Sequence, residues 1–257
     1  MRALDNDRPV VLTIAGLDPS GGAGIVADIK TIAAFGCFPA AAITSITFQN
    51  AQRVFGAEHQ SAEILHAQVE PIFADARVAA AKTGMLPTAE IVREVVRLFR
   101  EEELPAPVVD PVMISTSGHD LIGDEAFQLL KRELLPVACL VTPNIPEAER
   151  LAGFAIRSEY DMRRAAEVIR SVGASAVLIK GGHRSESLAD AVDILLDDVG
   201  VFTEFRETRI DVGEVHGTGC TLSAAIAANL ANNLSLFDAV AFAKTYVTDQ
   251  IRSLRSI

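Results

Sequence analysis

Residues Pro9–Phe35 read PVVLTIAGLDPSGGAGIVADIKTIAAF. Their first part, Pro9–Gly16, is a nearly continuous apolar run, which is typical of a strand buried on both faces of a sheet. The last part, Gly24–Phe35, places apolar residues at helical spacing. The glycines of the segment between them, Gly16–Gly24, allow the backbone to approach a ligand closely. The stretch therefore predicts a strand, a ligand-binding turn and a helix, which is the repeating unit of a parallel sheet.

Apolar strands and helical patterns alternate along the whole chain, and this alternation predicts an α/β fold with a mostly parallel sheet covered by helices. The other predicted strands of this kind are Ala40–Ile46, Val78–Lys82, Pro107–Asp110, Ala138–Val141 and Ala176–Lys180. The other predicted helices are Ala62–Phe73, Thr88–Glu102, Asp124–Leu135, Pro146–Leu151, Tyr160–Val172, Thr218–Leu230 and Leu236–Leu254. A late antiparallel pair is predicted for Ala189–Leu196 and Val201–Arg206. Since no linker or internal repeat interrupts the pattern, residues 1–257 are interpreted as one domain.

The charge balance argues against several classes of partner. The chain has 23 Lys and Arg against 34 Asp and Glu, a formal net charge of −11. A sequence-independent nucleic-acid binder needs a basic face and is therefore not expected. One uncharged stretch between Lys30 and Arg53 is interrupted by Gly36 and Pro39, so no membrane span is expected either. Three cysteines without metal-ligand spacing, and an acidic N-terminus in place of a signal peptide, favour a cytoplasmic protein.

A second glycine-rich segment, Gly217-Thr218-Gly219-Cys220, precedes a predicted helix. The N–H groups of a helix's first turn have no intrahelical acceptors, and together with the helix dipole they bind anions such as a phosphoryl group. Cys220 lies in that first turn, where the pKa of a thiol is expected to be lowered. The alternatives are a plain helix-start turn and a small buried cysteine.

Three further strand ends carry residues that suit phosphate chemistry. Asn144 and Glu147, three residues apart, could hold Mg²⁺ through water beside phosphates, or they could form a capping box. Lys180, beside two glycines, can reach a phosphate or lie in solvent. Asp110 either serves the site or caps the loop that follows it. That loop, Ile114–Ile122, is rich in Ser, Thr and Gly and suits a mobile cover.

Seven motifs occur in one order along the chain: TIAGLDPSGGAGI, FQN, AAKTGML, VVDPVM, LVTPNIPEAE, VLIKGGH and HGTGCTLSAA. By these motifs the chain, from about Val10 to Lys244, resembles the bacterial hydroxymethylpyrimidine/phosphomethylpyrimidine kinases of thiamine biosynthesis, in the ribokinase-like superfamily. The resemblance implies a three-layer sandwich, with a central and mostly parallel sheet flanked by helices, and a homodimer. It also implies phosphorylation of 4-amino-5-hydroxymethyl-2-methylpyrimidine, and then of its monophosphate, with ATP and Mg²⁺.

The same resemblance assigns roles to residues of this sequence. The pyrimidine would be hydrogen-bonded by Gly16, Asp28 and Gln49, and its ring sandwiched by Met85 and Val112. The catalytic residues would be Cys220, Gly217, Gly219 and Lys180. The nucleotide and its phosphates would be held by Asn144, Glu147 and Thr218, and Mg²⁺ by Glu147 and Asp110 through water. Cys220 stands where sugar kinases of the superfamily carry a catalytic Asp, and is therefore the candidate base.

Three departures from the family's pattern leave parts of the site open. The segment DVGEVHGTGC lacks the usual Asn-Thr before His216, Thr116 stands where many members have Lys, and no Gly-His-rich tail precedes Ile257. A pyridoxal or pyridoxine kinase of the same superfamily, which acts on a similar ring, is the main alternative. A nicotinamide-dependent oxidoreductase needs an acidic residue after the second strand, and Ala40–Arg53 has none. A nucleotide-binding protein without kinase activity is the distant alternative.

Overall fold

The central layer is one mixed sheet. The structure is a computed structural model that describes residues 8–50, 53–102, 104–115, 118, 120–182, 190–208, 210 and 215–254. Nine strands lie in these residues: β1 (Val10–Leu17), β2 (Phe38–Gln49), β3 (Val54–His59), β4 (Val78–Thr83), β5 (Val108–Val109), β6 (Leu140–Val141), β7 (Val177–Ile179), β8 (Asp190–Leu196) and β9 (Phe202–Thr208). Their order across the sheet is β3-β2-β1-β4-β5-β6-β7-β8-β9. The six strands from β2 to β7 in this order run parallel, and β3, β8 and β9 pair antiparallel.

Helices cover both faces of the sheet. Those described are α1 (Gly24–Ala34), α2 (Ala62–Asp75), α3 (Ala89–Glu101), α4 (Asp124–Leu129), α5 (Ile145–Ala152), α6 (Glu159–Ser171), α7 (Thr218–Ala231) and α8 (Leu236–Leu254). The predicted α/β fold with a mostly parallel sheet between helices is therefore confirmed, with element bounds that differ by a few residues.

The hydrophobic core consists of two layers, one on each face of the sheet. Leu12 and Ile14 of β1 pack in one layer with side chains of α2 to α6, whereas Val11 packs in the other with α1, α7 and α8. Successive side chains of a strand point to opposite faces, so a strand in such a position must be apolar throughout. This explains the continuous apolar runs of the central strands.

Two regions differ from the sequence-based expectation. Strand β3 was not expected, because its sequence VFGAEH contains Gly56 and charged residues and is only half buried at the edge of the sheet. The single helix expected for Asp124–Leu135 ends as an α-helix at Leu129 and continues as a π-helical and then a 3₁₀ turn. Pro136 lies in this last turn, and it has no N–H to donate to the carbonyl four residues earlier.

The topology indicates where a ligand should bind. The connection from β1 through α1 leads to β2 on one side, whereas β4 lies on the other side of β1. Such a reversal leaves a crevice at the carboxyl ends of the strands, where open α/β sheets bind ligands. No helix in the described part of the chain is long and apolar enough to cross a membrane.

Candidate active site

A large cavity opens at the carboxyl ends of the parallel strands. Its volume is about 1190 Å³, and its wall includes the residues that follow β1, β4, β5, β6 and β7, together with the start of α7. The residues assigned by resemblance that line it are Gly16, Gln49, Met85, Asp110, Val112, Asn144, Glu147, Lys180, Gly217, Thr218, Gly219 and Cys220. The fold therefore brings together side chains that lie up to about two hundred residues apart in sequence.

Two glycine-rich segments form one end of the cavity, and their packing requires glycine. Gly217 has a φ of +84°, and a Cβ on it would lie 1.8 Å from the carbonyl oxygen of Gly22. Gly24 has a φ of +56°, and a Cβ there would lie 2.2 Å from the carbonyl oxygen of Gly16. Any L side chain at either position would collide with backbone that has no room to move. The loop after β1 and the start of α7 are thereby held against each other.

The start of α7 has the properties of an anion-binding site. Its N-cap residue is Gly217, which has no side chain to accept from the first-turn N–H groups. Thr218, Gly219 and Cys220 supply these groups, and all three residues line the cavity. Uncapped amides at the positive end of a helix dipole attract a phosphate.

A buried ion pair, Lys180 with Asp110, lies beside the start of α7. Lys180 Nζ donates to Asp110 Oδ1 at 2.9 Å, and the Asp110 side chain is only 3% exposed. A Cβ on Gly219 would lie 3.2 Å from Lys180 Nζ, so the ammonium group lies against the first turn of α7. Burial raises the pKa of Asp110, but Lys180 and Lys82 lower it further than burial raises it. Lys180 thus lies in the cavity wall, and a position in open solvent is excluded.

Asn144 and Glu147 form a capping box and also line the cavity. Asn144 Oδ1 accepts from the Glu147 N–H at 2.9 Å, and Glu147 Oε2 accepts from the Asn144 N–H at 2.8 Å. Burial raises the pKa of Glu147 to about 7; Lys180 opposes this rise and the nearby Asp110 adds to it. The two interpretations made from the sequence are therefore compatible, because the cap places the carboxylate at the cavity wall.

The expected lowering of the Cys220 pKa is wrong for this structure. Burial raises the pKa of the thiol to about 11, and the ammonium of Lys82 only partly offsets this effect. The sequence correctly predicts Cys220 in the first turn of α7, but it does not reveal how far the thiol is removed from water. Loss of hydration outweighs the dipole of the helix at this position.

Asp28 does not line the cavity in this structure, and its assigned contact with the pyrimidine stays a prediction. Asp28 is fully buried and is not among the residues of the cavity wall. Its Oδ2 accepts from Lys82 Nζ at 2.8 Å and from Thr13 Oγ1 at 2.6 Å. Asp28 shares the buried face of α1 with Ile25 and Ile32, which lie three and four residues away. It therefore points into the sheet and not into the cavity.

Sequence reasoning assigned no role to Asp18 and only a weak one to His216. Asp18 is 3% exposed; its Oδ1 accepts from Ser20 N–H at 2.8 Å, and its Oδ2 from Ala23 N–H and His216 Nε2, both at 2.9 Å. Burial raises the pKa of Asp18, but hydrogen bonds from Gln49, Ser20 and His216 lower it to about 2. The Asp-Pro-Ser-Gly sequence is a turn signal that could have indicated this side-chain role.

Some predicted features fall where the structure gives partial or no information. Thr116 and residues 211–214, which carry two departures from the family's pattern, lie outside the described residues. The predicted cover loop is described in part: Ile114 forms an isolated bridge with Asp120 and lines the cavity with Ser115. Its mobility stays a prediction.

Comparison with known proteins matches this chain to a family of kinases. The family model described as phosphomethylpyrimidine kinase matches residues 18–257. The chain belongs to the phosphomethylpyrimidine kinase family. It is 45% identical over 239 residues to the hydroxymethylpyrimidine/phosphomethylpyrimidine kinase of Rhizobium meliloti, covering 93% of this chain and 88% of that protein.

Two further relatives show the breadth of the family. The chain is 44% identical over 245 residues to the thiamine biosynthesis bifunctional protein ThiED of Geobacter sulfurreducens; the match covers 95% of this chain and 49% of that protein, so the chain spans about half its length. Among solved structures, the ADP complex of Bacillus subtilis pyridoxal kinase is 35% identical with a TM-score of 0.85, and the match covers 94% of this chain and 90% of that one. The ribokinase-like fold of this chain is thus shared with a pyridoxal kinase.

Proposed function

We propose that this chain, as one ribokinase-like domain, transfers the γ-phosphoryl group of ATP to 4-amino-5-hydroxymethyl-2-methylpyrimidine and then to its monophosphate. The observation that carries this proposal is that one cavity brings together a glycine-lined helix start, the side chain of Lys180 and the residues assigned to the pyrimidine ring. Gly16, Gln49, Met85 and Val112 line the part of the wall assigned to the ring.

Local groups supply the positive field that phosphoryl transfer requires. Catalysis of this reaction rests mainly on positioning and on neutralising the charge of the transferred group. Lys180 and the amides of Gly217–Cys220 lie together at one end of the cavity. A chain with a formal net charge of −11 can therefore bind ATP, because Lys180 and the helix-start amides supply positive charge locally.

The carboxylates present fit a magnesium ion held together with phosphates. Among the described residues, no three His, Cys, Asp or Glu side chains gather into a metal centre. Mg²⁺, however, commonly takes one or two carboxylates and completes its shell with water and substrate phosphates. Asp110 and Glu147 supply two carboxylates at the wall, close enough for each to influence the other's charge. The ion, when bound, would neutralise negative charge on the phosphates.

Cys220 is proposed to orient the acceptor hydroxyl group. Its position in the first turn of α7 places it beside the anion site, where the hydroxymethyl oxygen must approach the phosphorus. With a pKa of about 11 the thiol is protonated at neutral pH. A loose transition state needs little early deprotonation of the acceptor, so a preformed thiolate base is not required.

Product analysis with MgATP tests this proposal. The hydroxymethylpyrimidine should yield a monophosphate and then a diphosphate, with a higher kcat/KM than pyridoxal. A preference for pyridoxal, with no diphosphate from the pyrimidine, would assign the chain to the pyridoxal kinases, which the similarity to the Bacillus subtilis enzyme makes the second candidate. Binding of ATP without transfer to either ring would assign it to non-catalytic nucleotide-binding proteins.

A homodimer and a cytoplasmic location complete the proposal. Strand β2 exposes Ile46 and Phe48 on one face, and Phe48 lies over Gly56 of the edge strand β3. We assign this face to a second copy of the chain, since large exposed apolar side chains grouped on one face are typical of a protein–protein interface. Phe48→Glu should convert a dimer into a monomer in light scattering, whereas Phe242→Glu, at an equally exposed phenylalanine of α8, should not. Free Cys37, Cys139 and Cys220 suit a reducing compartment.

A further inference from the structure

A buried lysine–aspartate pair joins α8 to β8 in the wall of the cavity. Lys244 Nζ donates to Asp193 Oδ2 at 2.7 Å, and the two side chains are only 10% and 11% exposed. The other carboxylate oxygen, Oδ1, accepts from Gly181 N–H at 2.8 Å. Each oxygen of Asp193 thus has a donor of its own, and the carboxylate is held in one orientation. Gly181 directly follows Lys180, the lysine at the start of α7.

The Asp193 carboxylate fixes the peptide group that follows Lys180. The N–H of Gly181 and the carbonyl of Lys180 belong to the same planar peptide group. On the other side of the Lys180 Cα, the Lys180 N–H donates to the carbonyl oxygen of Pro143 at 2.9 Å. A Cβ on Gly181 would lie 1.9 Å from the carbonyl oxygen of Val192, so the chain here runs directly against β8. The backbone is therefore held on both sides of Lys180.

Asp193 supplies an acceptor at the point where the pairing of β7 with β8 ends. The last paired residues of these strands are Ile179 and Ile194. Beyond them, a side-chain oxygen accepts from the chain that leaves β7. Gly181 is buried, and a buried N–H without an acceptor is costly. Without the Asp193 oxygen, the Lys180–Gly181 peptide would have to turn toward the water of the cavity.

Such a turn would move Lys180 away from the phosphate site. Its ammonium group lies against the first turn of α7, since a Cβ on Gly219 would be 3.2 Å from Nζ. Asp110 accepts from the same ammonium group at 2.9 Å but leaves the backbone of Lys180 free to shift. A misplacement of about 1 Å at a reacting centre can lower a rate about 100-fold.

We propose that Asp193 is a positioning residue for phosphoryl transfer, which holds Lys180 at the start of α7 by accepting from Gly181 N–H. The inference rests on the proposed function, in which Lys180 contacts the phosphates. Asp193 acts through Lys180 and requires no contact with ATP or the pyrimidine. Lys244 orients the Asp193 carboxylate, and the pair thereby connects the α8 wall of the cavity with the phosphate site.

The first test compares two double variants, Asp193→Asn/Lys244→Met and Asp193→Leu/Lys244→Met. Both lack the buried charges, and uncharged residues of similar volume commonly replace a buried ion pair without loss of stability. Asparagine and leucine have nearly the same shape, but only asparagine offers an acceptor to Gly181 N–H. The asparagine variant should keep most of the parent's kcat, and the leucine variant should lose about 10- to 100-fold with little change in KM for the pyrimidine. Equal kcat values in the two variants would overturn the inference.

The second test repeats this comparison in the Lys180→Met background. The difference in kcat between the two double variants should shrink to less than about two-fold, because Asp193 acts through the lysine. A general structural role of Asp193 would lower kcat by the same factor in both backgrounds, and that result would also overturn the inference. The matched control is Asp197→Leu, at a carboxylate that follows the other end of β8 and accepts from Val201 N–H at 2.7 Å. It should leave kcat unchanged.

Binding of ATP without an acceptor separates the inference from the proposed function. In calorimetry, the leucine double variant should bind ATP up to about 10-fold more weakly than the asparagine double variant, and the difference should disappear in the Lys180→Met background. If this pattern holds and no pyrimidine is phosphorylated, the proposed function fails and the role of Asp193 stands. If the pyrimidine is phosphorylated equally well by both double variants, only the role of Asp193 fails.

Asp193→Asn alone decides the question if the leucine variant does not fold. In this single variant the ammonium of Lys244 takes the one amide oxygen, so the amide nitrogen faces Gly181 N–H and two donors meet. Adding Lys244→Met releases the oxygen for Gly181 N–H. The kcat of the folded protein should therefore rise about 10-fold or more when Lys244→Met is added. No rise would overturn the inference.

Discussion

Two buried lysine–aspartate pairs lie close together at the carboxyl ends of the strands, and they differ in what they face. Lys82 and Asp28 are 2.8 Å apart, and both side chains are completely buried. Lys180 and Asp110 are 2.9 Å apart, and their side chains, 13% and 3% exposed, reach the wall of the cavity. The two pairs therefore differ in their surroundings: one joins α1 to β4 beneath the site, and the other lies at the cavity wall, where Lys180 is proposed to contact a phosphate.

The largest effect on stability should follow from breaking the completely buried pair, Lys82 with Asp28. Lys82→Met leaves the Asp28 carboxylate buried without its counter-charge, and removal of one partner from such a pair typically costs about 3–5 kcal/mol of the free energy of unfolding. Denaturant titration measures this loss. Asp28→Asn added to Lys82→Met should restore most of the stability, since neither member of this pair is then charged and Thr13 keeps its acceptor. A Lys82→Met variant as stable as the parent protein would contradict a structural role for this pair.

The pair at the cavity should respond mainly in activity. Lys180→Met should lower kcat about 10²- to 10³-fold, which is typical for loss of one group that stabilises developing charge. Its loss of stability should be smaller than that of Lys82→Met, because Asp110 keeps hydrogen bonds from Thr142 and Ser223 and lies at a cavity that water can enter. If Lys180→Met loses stability but retains full turnover, the two pairs have the same role and the contrast between them is wrong.

The contrast also shows what sequence can and cannot reveal about this site. The motif AAKTGML placed Lys82 in a strand and gave it no partner, and the resemblance assigned Asp28 to a ligand. The spacing of Asp28 with Ile25 and Ile32 does predict a buried face, but nothing in the sequence identifies Lys82, 54 residues away, as its partner. Burial depends on the assembled fold, so the direction of the Cys220 pKa shift could not be predicted from the sequence either.

The fold was more predictable than the charges within it. The central strands are apolar throughout because helices cover them on both faces, and this produces a clear pattern in the sequence. Strand β3 is half exposed at the edge, where Gly56 and two ionisable residues, Glu58 and His59, remove that pattern. Gly217 and Gly24 were recognised as ligand-binding turns, whereas the close packing that requires glycine there is visible only in the structure.

The pH dependence of Glu147 offers a further test of the pair at the cavity. Glu147 lies near Lys180 and Asp110, and its pKa is raised to about 7, mainly by burial. The usual value is 4.5, so between pH 4.5 and about 7 the folded protein binds a proton that the unfolded chain has lost. The free energy of unfolding of the ligand-free protein should therefore fall as pH rises through this window, and Mg²⁺ with ATP should bind more tightly above it.

Glu147→Gln isolates this effect. Glutamine keeps the capping box, so the helix start should remain intact. The variant should lose the pH-dependent part of stability between pH 5 and 7, measured by melting curves, and should need about 10- to 100-fold more Mg²⁺ for half-maximal activity. An unchanged Mg²⁺ requirement would contradict a role of the carboxylate in holding the metal and would leave capping as the role of this residue.

The smallest effect concerns the influence of the Lys82 charge on the reactivity of the Cys220 thiol. Among the charges around Cys220, Lys82 lowers the thiol pKa most, although burial keeps that pKa at about 11. Alkylation of Cys220 should therefore be slow at pH 7.5 and rise toward pH 11, and bound pyrimidine should protect Cys220 while leaving Cys37 and Cys139 unaffected. In the folded fraction of Lys82→Met the rate at pH 9 should fall by up to about ten-fold, the equivalent of one pKa unit, and by less in Lys180→Met. Mass spectrometry resolves the three thiols. Faster labelling in Lys82→Met under native conditions would mean that the pair beneath the site controls the packing around Cys220, and that its charge does not reach the thiol.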